Sequence, residues 1–575
     1  MPFDIPIIRH ETDVLIVGGG AAGTMAAFEC ANAGVAVVQA TKGRATSGTT
    51  TVARGGFAAA MGKDDSPELH LRDILKHGGE LIDPDLARVW VYDIIDVVHD
   101  LESWGAEFIR RPAGELDLKA FPTHSRNRAC HHYDTTGNML TKVLSKKLRG
   151  DERIEKHSIT AIVDLLKRND RVVGAWGVDY QKGALVIYRA KQIILCTGGG
   201  SGLFYVNDNP PQVTGDGYVM GFRAGAPLIG IEMIDFQAMC CSPKELFGFA
   251  PHPTGFINAG AVFRNRNGEE FLKRYFPDTA EQSTRSEVIL AMAKEIHAGR
   301  AGSTGGIFMD ATKVPTDVIQ TQIPHVYKTC LHRGIDISKT PLEVAPGSHT
   351  WLGGLKVDIN GQTPVNGLFA AGETAGGIHG GNRIGGSALS ASLVYGRCAG
   401  RRAAALVKEE CTNLEMDDND AIPKSERAWL AELMSRDCGP MQSDVRMACR
   451  MLAHNKLGPI REERSLKEAL AEYERIECED VPTMRIDPKA RGSNKVRGEE
   501  LESALSVRNL ALLGCILAFA SLQRTESRGA HFRLDHPDAD DVRWRVVTSL
   551  QLGANNAIEF HTDPIKETVA SDMHR

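Results

Sequence analysis

Asp13-Val-Leu-Ile-Val-Gly-Gly-Gly-Ala-Ala-Gly23 is the stretch from which the rest of this chain is read. Four consecutive apolar residues from Val14 predict a buried parallel strand, and the glycines behind them fall as Gly18-x-Gly20-x-x-Gly23 before an alanine-rich helix over 24–32. Gly18 suits a tight turn, Gly20 lets the backbone approach a pyrophosphate, and Gly23 lets helix and strand pack closely. The helix N-terminus offers free amides to the phosphates. A second strand over 35–38 completes a dinucleotide-binding grammar. Gln39, Ala40, Thr41 and Lys42 then stand where an acid for the adenosine ribose is often found. Gln39 or Thr41 is left to hold the ribose as a neutral group. That weakens a nicotinamide dinucleotide without excluding it, and a flavin dinucleotide carries the same ADP half.

The 575 residues, 42% of them hydrophobic, suffice for two to four domains of an ordinary globular protein. A formal charge of -6 and 6% aromatic content give no basis for nucleic-acid binding. Met1 to Thr12 carries charges and leads into the first strand, so no signal peptide is read and the expected location is the cytoplasm. The longest apolar run, Leu510 to Leu522, is too short to span a bilayer and predicts a core helix. None of the twelve cysteines has C-x-x-C spacing, which excludes an iron-sulfur cluster or zinc site of that kind; adjacent Cys240 and Cys241 read as buried thiols. His131 and His132 lack further ligands at metal spacing, so no metal is expected.

Along the chain, Ser47-Gly-Thr-Thr-Thr-Val-Ala-Arg-Gly-Gly56 is a small-residue loop suited to lie against a pyrophosphate or flavin ring. Residues 67–105 and 138–148 predict scaffold helices. Strands over 159–165, 171–179, 184–190 and 192–195 form a meander ending in Cys196-Thr-Gly-Gly-Gly200. Asp216, in Thr214-Gly-Asp-Gly217, suits a sugar hydroxyl or a helix cap equally. Residues 236–345 mix loops and helices, including helices over 286–298 and 316–333. Glycine-punctuated strands then return at Ser348 to Gly354 and Gly367 to Glu373, followed by a helix from Ser387.

Together these segments resemble the flavoprotein subunit of the succinate dehydrogenase, fumarate reductase and L-aspartate oxidase superfamily, over essentially the whole length. The matching motifs are Gly18 to Gly23, Thr51 to Gly56, Thr214 to Gly217, His379-Gly-Gly-Asn-Arg-Ile-Gly385 and Arg524-Thr-Glu-Ser-Arg-Gly-Ala-His531. The resemblance implies an α/β fold: a Rossmann-like FAD-binding domain (1–235 and 346–415) interrupted by an α+β capping domain (236–345). A helical domain (416–522) and a C-terminal segment (523–575) follow. It implies FAD bound by Gly18, Gly20, Ala22, Gly23, Thr41, Lys42, Thr49, Thr50, Gly55, Gly56, Asp216, Glu373, Ala388 and Leu389. It also implies Arg285 as proton shuttle, with His349 and Arg383 binding a substrate carboxylate. Arg285 needs a carboxylate relay, because an isolated arginine stays protonated, and Glu287 is the candidate.

Two departures stand out. Thr49 occupies the position of the family's flavin-linking histidine, so the FAD is expected to be non-covalent. The place of the family's His-Pro-Thr-Gly reads Asp235-Phe-Gln-Ala-Met239, and His252-Pro-Thr-Gly255, fifteen residues later, is either that motif displaced or a recurrence by chance. The leading expectation is an FAD-dependent oxidoreductase that reduces or forms a carbon-carbon double bond beside a carboxylate. The alternatives are an L-aspartate oxidase-like enzyme, an adenylylsulfate reductase-like flavoprotein acting on a sulfur oxyanion, and a non-catalytic electron carrier. An iron-sulfur partner subunit is expected, because in relatives the Arg524 to His531 string lies in the flavoprotein that docks one. Attachment at the inner membrane face is expected only through such a partner.

Overall fold

The computed structural model describes residues 5–44, 47–121, 123–251, 253–410 and 422–566. Strand β1 (Ile7–Val17) ends in the four buried apolar residues that the sequence marks, and helix α1 (Ala21–Asn32) starts three residues earlier than its alanine pattern suggests. Strand β2 (Val37–Thr41) is shifted two to three residues downstream of the predicted 35–38. β1 and β2 pair in parallel with Val14 opposite Val37, and β1 pairs in parallel with the long strand Ala184–Leu195 from Ile7–Leu185 to Val17–Leu195. Gly18 has φ +121°, and a Cβ there would lie 2.0 Å from the Cys196 carbonyl oxygen, so only glycine makes this turn.

The main sheet runs Ile154–Ser158, β2, β1, Ala184–Leu195, Arg171–Asp179, Thr160–Arg168, with Leu368–Ala370 also pairing to Ala184–Leu195. The two strands predicted over 184–195 are one continuous strand shared by the parallel sheet and the antiparallel meander. Helix Ser387–Glu409 lies across α1. Gly396 and Gly400 face it so closely that added Cβ atoms would meet the Ala22 and Ala26 carbonyl oxygens at 2.2 and 2.6 Å.

A second sheet, all antiparallel, runs Ile234–Cys241, Leu342–Trp351, Ile307–Asp310, Val262–Arg264. In its first pair Asp235 opposes Thr350 but Phe236 opposes Ser348, so His349 is the extra residue of a β-bulge. The helix predicted over 316–333 is two helices, Thr316–Gln322 and Pro324–His332, because Pro324 lacks the amide that would continue the first. His252 lies outside the described residues; Pro253 opens the short helix Pro253–Asn258.

Beyond residue 422 the chain is mainly helical, closing with the 30-residue helix Asn494–Gln523. That helix is long and apolar enough to cross a membrane by length and composition, yet 78% of its most apolar window is buried against the rest of the fold. Strands Val546–Leu552 and Ile558–Pro564, unread in the sequence, form a hairpin that joins Leu228–Ile229.

The Arg524 to His531 string is internal. Arg524, Glu526 and His531 are 0% exposed, and the Arg524 guanidinium bonds to Glu232 (2.8 Å), Glu526 (2.6 Å) and the Trp544 and Val546 carbonyls (3.1 and 3.0 Å). Arg524 and Glu526 satisfy one another and Glu232, so this part of the string braces the C-terminal hairpin to the Glu232 segment, while Arg528 reaches the exposed Asp541.

Candidate active site

A cleft opens at the C-terminal ends of β1 and β2, where a doubly wound sheet binds its ligands. Gly18, Gly19 and Gly20 floor it, with Ala21, Ala22 and Thr41 to Gly43, the 47–50 loop, Cys196 to Gly198, Asp216 and Ala371 to Glu373 around it. Helix α1 has an extended glycine N-cap, no side-chain cap and no acid in its first turn, and the Ala21 amide reaches the Thr50 hydroxyl at 3.1 Å. Uncapped amides over a glycine floor fit a pyrophosphate.

The other assigned residues divide. Gly23 packs under the Gly18 carbonyl, 2.1 Å from where its Cβ would be, and supports the loop from beneath. Gly55, Gly56, Ala388 and Leu389 do not line this cleft among the described residues. Gln39, offered for the ribose, is 1% exposed and donates instead to the Gly18 carbonyl at 3.2 Å. Asp216 is already occupied by Lys42 (2.9 Å), Thr214 (2.7 Å) and Asn509 (2.8 Å), while Lys42 also reaches Glu502 at 2.8 Å. Burial alone would raise the Asp216 carboxyl, but Lys42 and these hydrogen bonds hold it below its ordinary value. Glu502, Ser506 and Asn509 therefore bring the long C-terminal helix to the cofactor cleft. No local motif marks them.

Around the second sheet, Arg285, His349 and Arg383 converge. Arg383 Nη2 donates to Asp235 Oδ2 at 3.0 Å, and Arg285 Nη2 pairs with the same oxygen. Arg383 Nε is buried without a partner among the described residues. Asp235 is 8% exposed; burial pushes its carboxyl up, but Arg285, Arg383 and His349 together hold it below the ordinary carboxylate value. Bulged His349 turns Nδ1 to Asp208 Oδ2 at 2.8 Å, which assigns the Nδ1 proton, and its carbonyl accepts from Asn209 at 2.8 Å. Thr49 donates to Asn209 at 3.0 Å, linking the 47–56 loop to His349. The relay candidate Glu287 is a misreading: its carboxylate closes a capping box with Thr284 at the start of helix Arg285–His297, and Asp235 is the acid that Arg285 meets. Asp235 went unread as a partner because it lies fifty positions from Arg285, on a strand where local pattern shows only alternation.

Glu373 sits in the cleft, accepting from the Trp351 amide at 2.9 Å, and burial lifts its carboxyl from 4.5 to about 7. Burial and the Arg383 charge lower His379 from 6.5 to about 3. Between pH 4.5 and 7 unfolding releases the Glu373 proton, so this residue makes stability fall as pH rises, by about 3 kcal/mol across the window. His379 acts oppositely, removing stability as pH falls below 6.5, because only the unfolded state takes the proton there. Glu373→Gln removes the first effect alone. In urea unfolding of the apoprotein, the variant gains about 3 kcal/mol on wild type between pH 4.5 and 7; a constant difference contradicts the assignment.

A family profile described as FAD binding domain matches residues 13–389, and one described as Fumarate reductase flavoprotein C-term matches 446–573. The chain belongs to the fumarate reductase and succinate dehydrogenase flavoprotein family. It is 33% identical over 549 residues to a subunit of the fumarate reductase (CoM/CoB) of Methanothermobacter marburgensis, covering 92% of this chain and 95% of that protein. It is 30% identical over 583 residues to an L-aspartate oxidase of Streptomyces coelicolor, covering 96% and 94%. The solved structure of Mycobacterium smegmatis Sdh1 in complex with UQ1 superposes with a TM-score of 0.89 at 30% identity, over 98% of this chain and 96% of that one. As a family member this is an FAD-dependent oxidoreductase, and the glycine cleft with its uncapped helix start fits the ADP half of FAD.

Proposed function

We propose that the protein is a catalytic flavoprotein subunit that reduces, or in the reverse direction forms, a carbon-carbon double bond next to a carboxylate. Bound FAD supplies hydride transfer at its N5. The supporting observation is that Arg285 and Arg383, from distant segments, meet on the buried Asp235 carboxylate with His349, held by Asp208, close enough to act on its charge. Arg383 Nε, and His349 on the side away from Asp208, bind the substrate carboxylate. A cation fork there stabilises the negative charge that grows on that carboxylate as hydride arrives at the β-carbon. Arg285 then gives a proton to the α-carbon and recovers it through Asp235, whose carboxylate it touches.

The test is anaerobic reduction of the purified flavoprotein followed by stopped-flow reoxidation with fumarate, other 2-enoic acids, adenylylsulfate and oxygen. An enoic acid as the fastest oxidant supports the reading. Oxygen as the fastest, with stoichiometric peroxide and reduction by L-aspartate, supports amino-acid oxidation, the second reading, which the likeness to an L-aspartate oxidase favours.

The FAD is held non-covalently, because Thr49 stands where the family's linking imidazole would be and its hydroxyl is taken up by Asn209. Acid precipitation releases all flavin colour into the supernatant; colour on the pellet contradicts this. Electrons reach the flavin through an iron-sulfur partner subunit, since no pair of cysteines in the sequence has the C-x-x-C spacing of a cluster motif. Co-purification from native extract brings down a cysteine-rich protein with an iron-sulfur spectrum.

A further inference from the structure

We infer that the substrate carries one carboxylate and an uncharged far end, Asp235 being a built-in counter-ion that takes the place of a second substrate carboxylate. This rests on the enoate reading above and narrows it.

Charge balance is what limits the ligand. Among the described residues the cations of the site are Arg285 and Arg383, joined by His349 when protonated, and the anions are Asp235 and Asp208. Two guanidiniums against two carboxylates leave no net charge, and a protonated His349 leaves one positive charge. Glu373, the remaining acid nearby, is kept largely uncharged by burial below neutral pH and supplies no cation. One substrate carboxylate therefore finds a matching charge, on Arg383 Nε and His349. Among the described residues a second would be buried beside Asp235 with no further charged cation to offset it, and an unpaired buried charge is among the costliest things a closed site can hold.

The surroundings agree with the charge count. Two positions beyond Asp235 on the same strand, Gln237 is 7% exposed and neutral, and its carbonyl oxygen is already used by the Ala238 amide at 3.0 Å. Ala238 and Met239, next along that strand, are buried and apolar. Beyond Arg383, the Phe121 ring lies against the backbone of Gly385 and Gly386, where added Cβ atoms would meet it at 2.9 and 2.4 Å. Among the described residues, the strand beside Asp235 thus offers an amide and a thioether, an aromatic ring lies beyond Arg383, and the neighbouring His379 is kept uncharged by burial.

The reaction expected of such a site is the two-electron reduction of a 2-enoate monoanion. FAD, when bound and reduced, would supply the hydride for the β-carbon, and Arg285 gives the proton to the α-carbon, so that the two electrons and the proton together yield the saturated acid.

The deciding measurement is reoxidation of the reduced holoenzyme by crotonate, cinnamate and acrylate against fumarate at pH 7. The best monocarboxylate exceeds fumarate in kcat/KM by at least about 100-fold. Fumarate equal or better overturns the inference and leaves the enoate reading standing, whereas no acid of either kind reoxidising the flavin overturns both. A second measurement is independent of turnover: butanoate and succinate are titrated into the oxidised holoenzyme, with binding read from the flavin spectrum. Asp235→Asn frees a guanidinium and shifts the ratio of affinities at least about 10-fold toward succinate. Gln237→His, which adds a cation without touching the arginine pair, shifts it the same way should Asp235→Asn not fold. An unchanged ratio in whichever of the two folds overturns the assignment of Asp235.

Discussion

Arg524→Ala lowers the stability of the folded protein by about 3 to 5 kcal/mol. Arg524 is fully buried between two fully buried acids, Glu232 and Glu526, and its remaining donors end on the Trp544 and Val546 carbonyls. Truncation leaves Glu232 inside the protein without its cation and Glu526 with Arg528 alone, and Thr548, which donates to Glu232 at 2.8 Å, offsets only part of that. The urea midpoint falls accordingly, and the soluble yield falls with it. Replacing Arg524 and Glu232 together by leucine recovers part of the loss, because the orphaned charge goes with its partner. A single variant within 1 kcal/mol of wild type would show that the string braces nothing.

Arg383→Ala lowers kcat/KM for the acid substrate by about 30- to 1000-fold, or about 2 to 4 kcal/mol, with flavin content unchanged. The guanidinium is buried, anchored through one nitrogen to Asp235 and left with Nε unpartnered, the arrangement of a group held ready for a ligand. Lysine at this position does not restore activity, since a point charge lacks the fork that holds Asp235 and a carboxylate at once. Loss of FAD from the alanine variant would instead make Arg383 part of the cofactor scaffold.

What was legible in the sequence was local. The apolar run before Gly18, the spacing to Gly23 and the alanines after it specify strand, turn and helix within twenty residues, and the structure keeps all three with small shifts of boundary. The Glu287 relay failed for an instructive reason. Sequence proximity to Arg285 suggested it, but a glutamate three positions inside a helix preceded by threonine is bound to its own backbone. Asp235, the residue that meets Arg285, is brought there by strand pairing between 234–241 and 342–351, which also creates the bulge at His349. Neither periodicity nor motif encodes that register. The same holds for Lys42, whose companions Glu502 and Ser506 lie on a helix that reads, correctly but incompletely, as core. The Arg524 string shows the converse: a charged motif, read only as a family signature, has Arg524, Glu526 and His531 in the interior, because arginine and glutamate can satisfy one another out of water.

The divided cradle also sets a timetable. The floor of the cofactor cleft, Gly18 to Gly20, leaves the ribosome early, whereas its far wall, Ala371 to Glu373, is made only after the entire second sheet. At ordinary rates of synthesis roughly 20 to 70 s separate the two. Throughout that interval the nascent chain has β1 and β2 but lacks Leu368–Ala370, the strand that covers one side of Ala184–Leu195, and helix Ser387–Glu409, which packs over α1. The cleft that takes the flavin is therefore completed late in the synthesis of this protein.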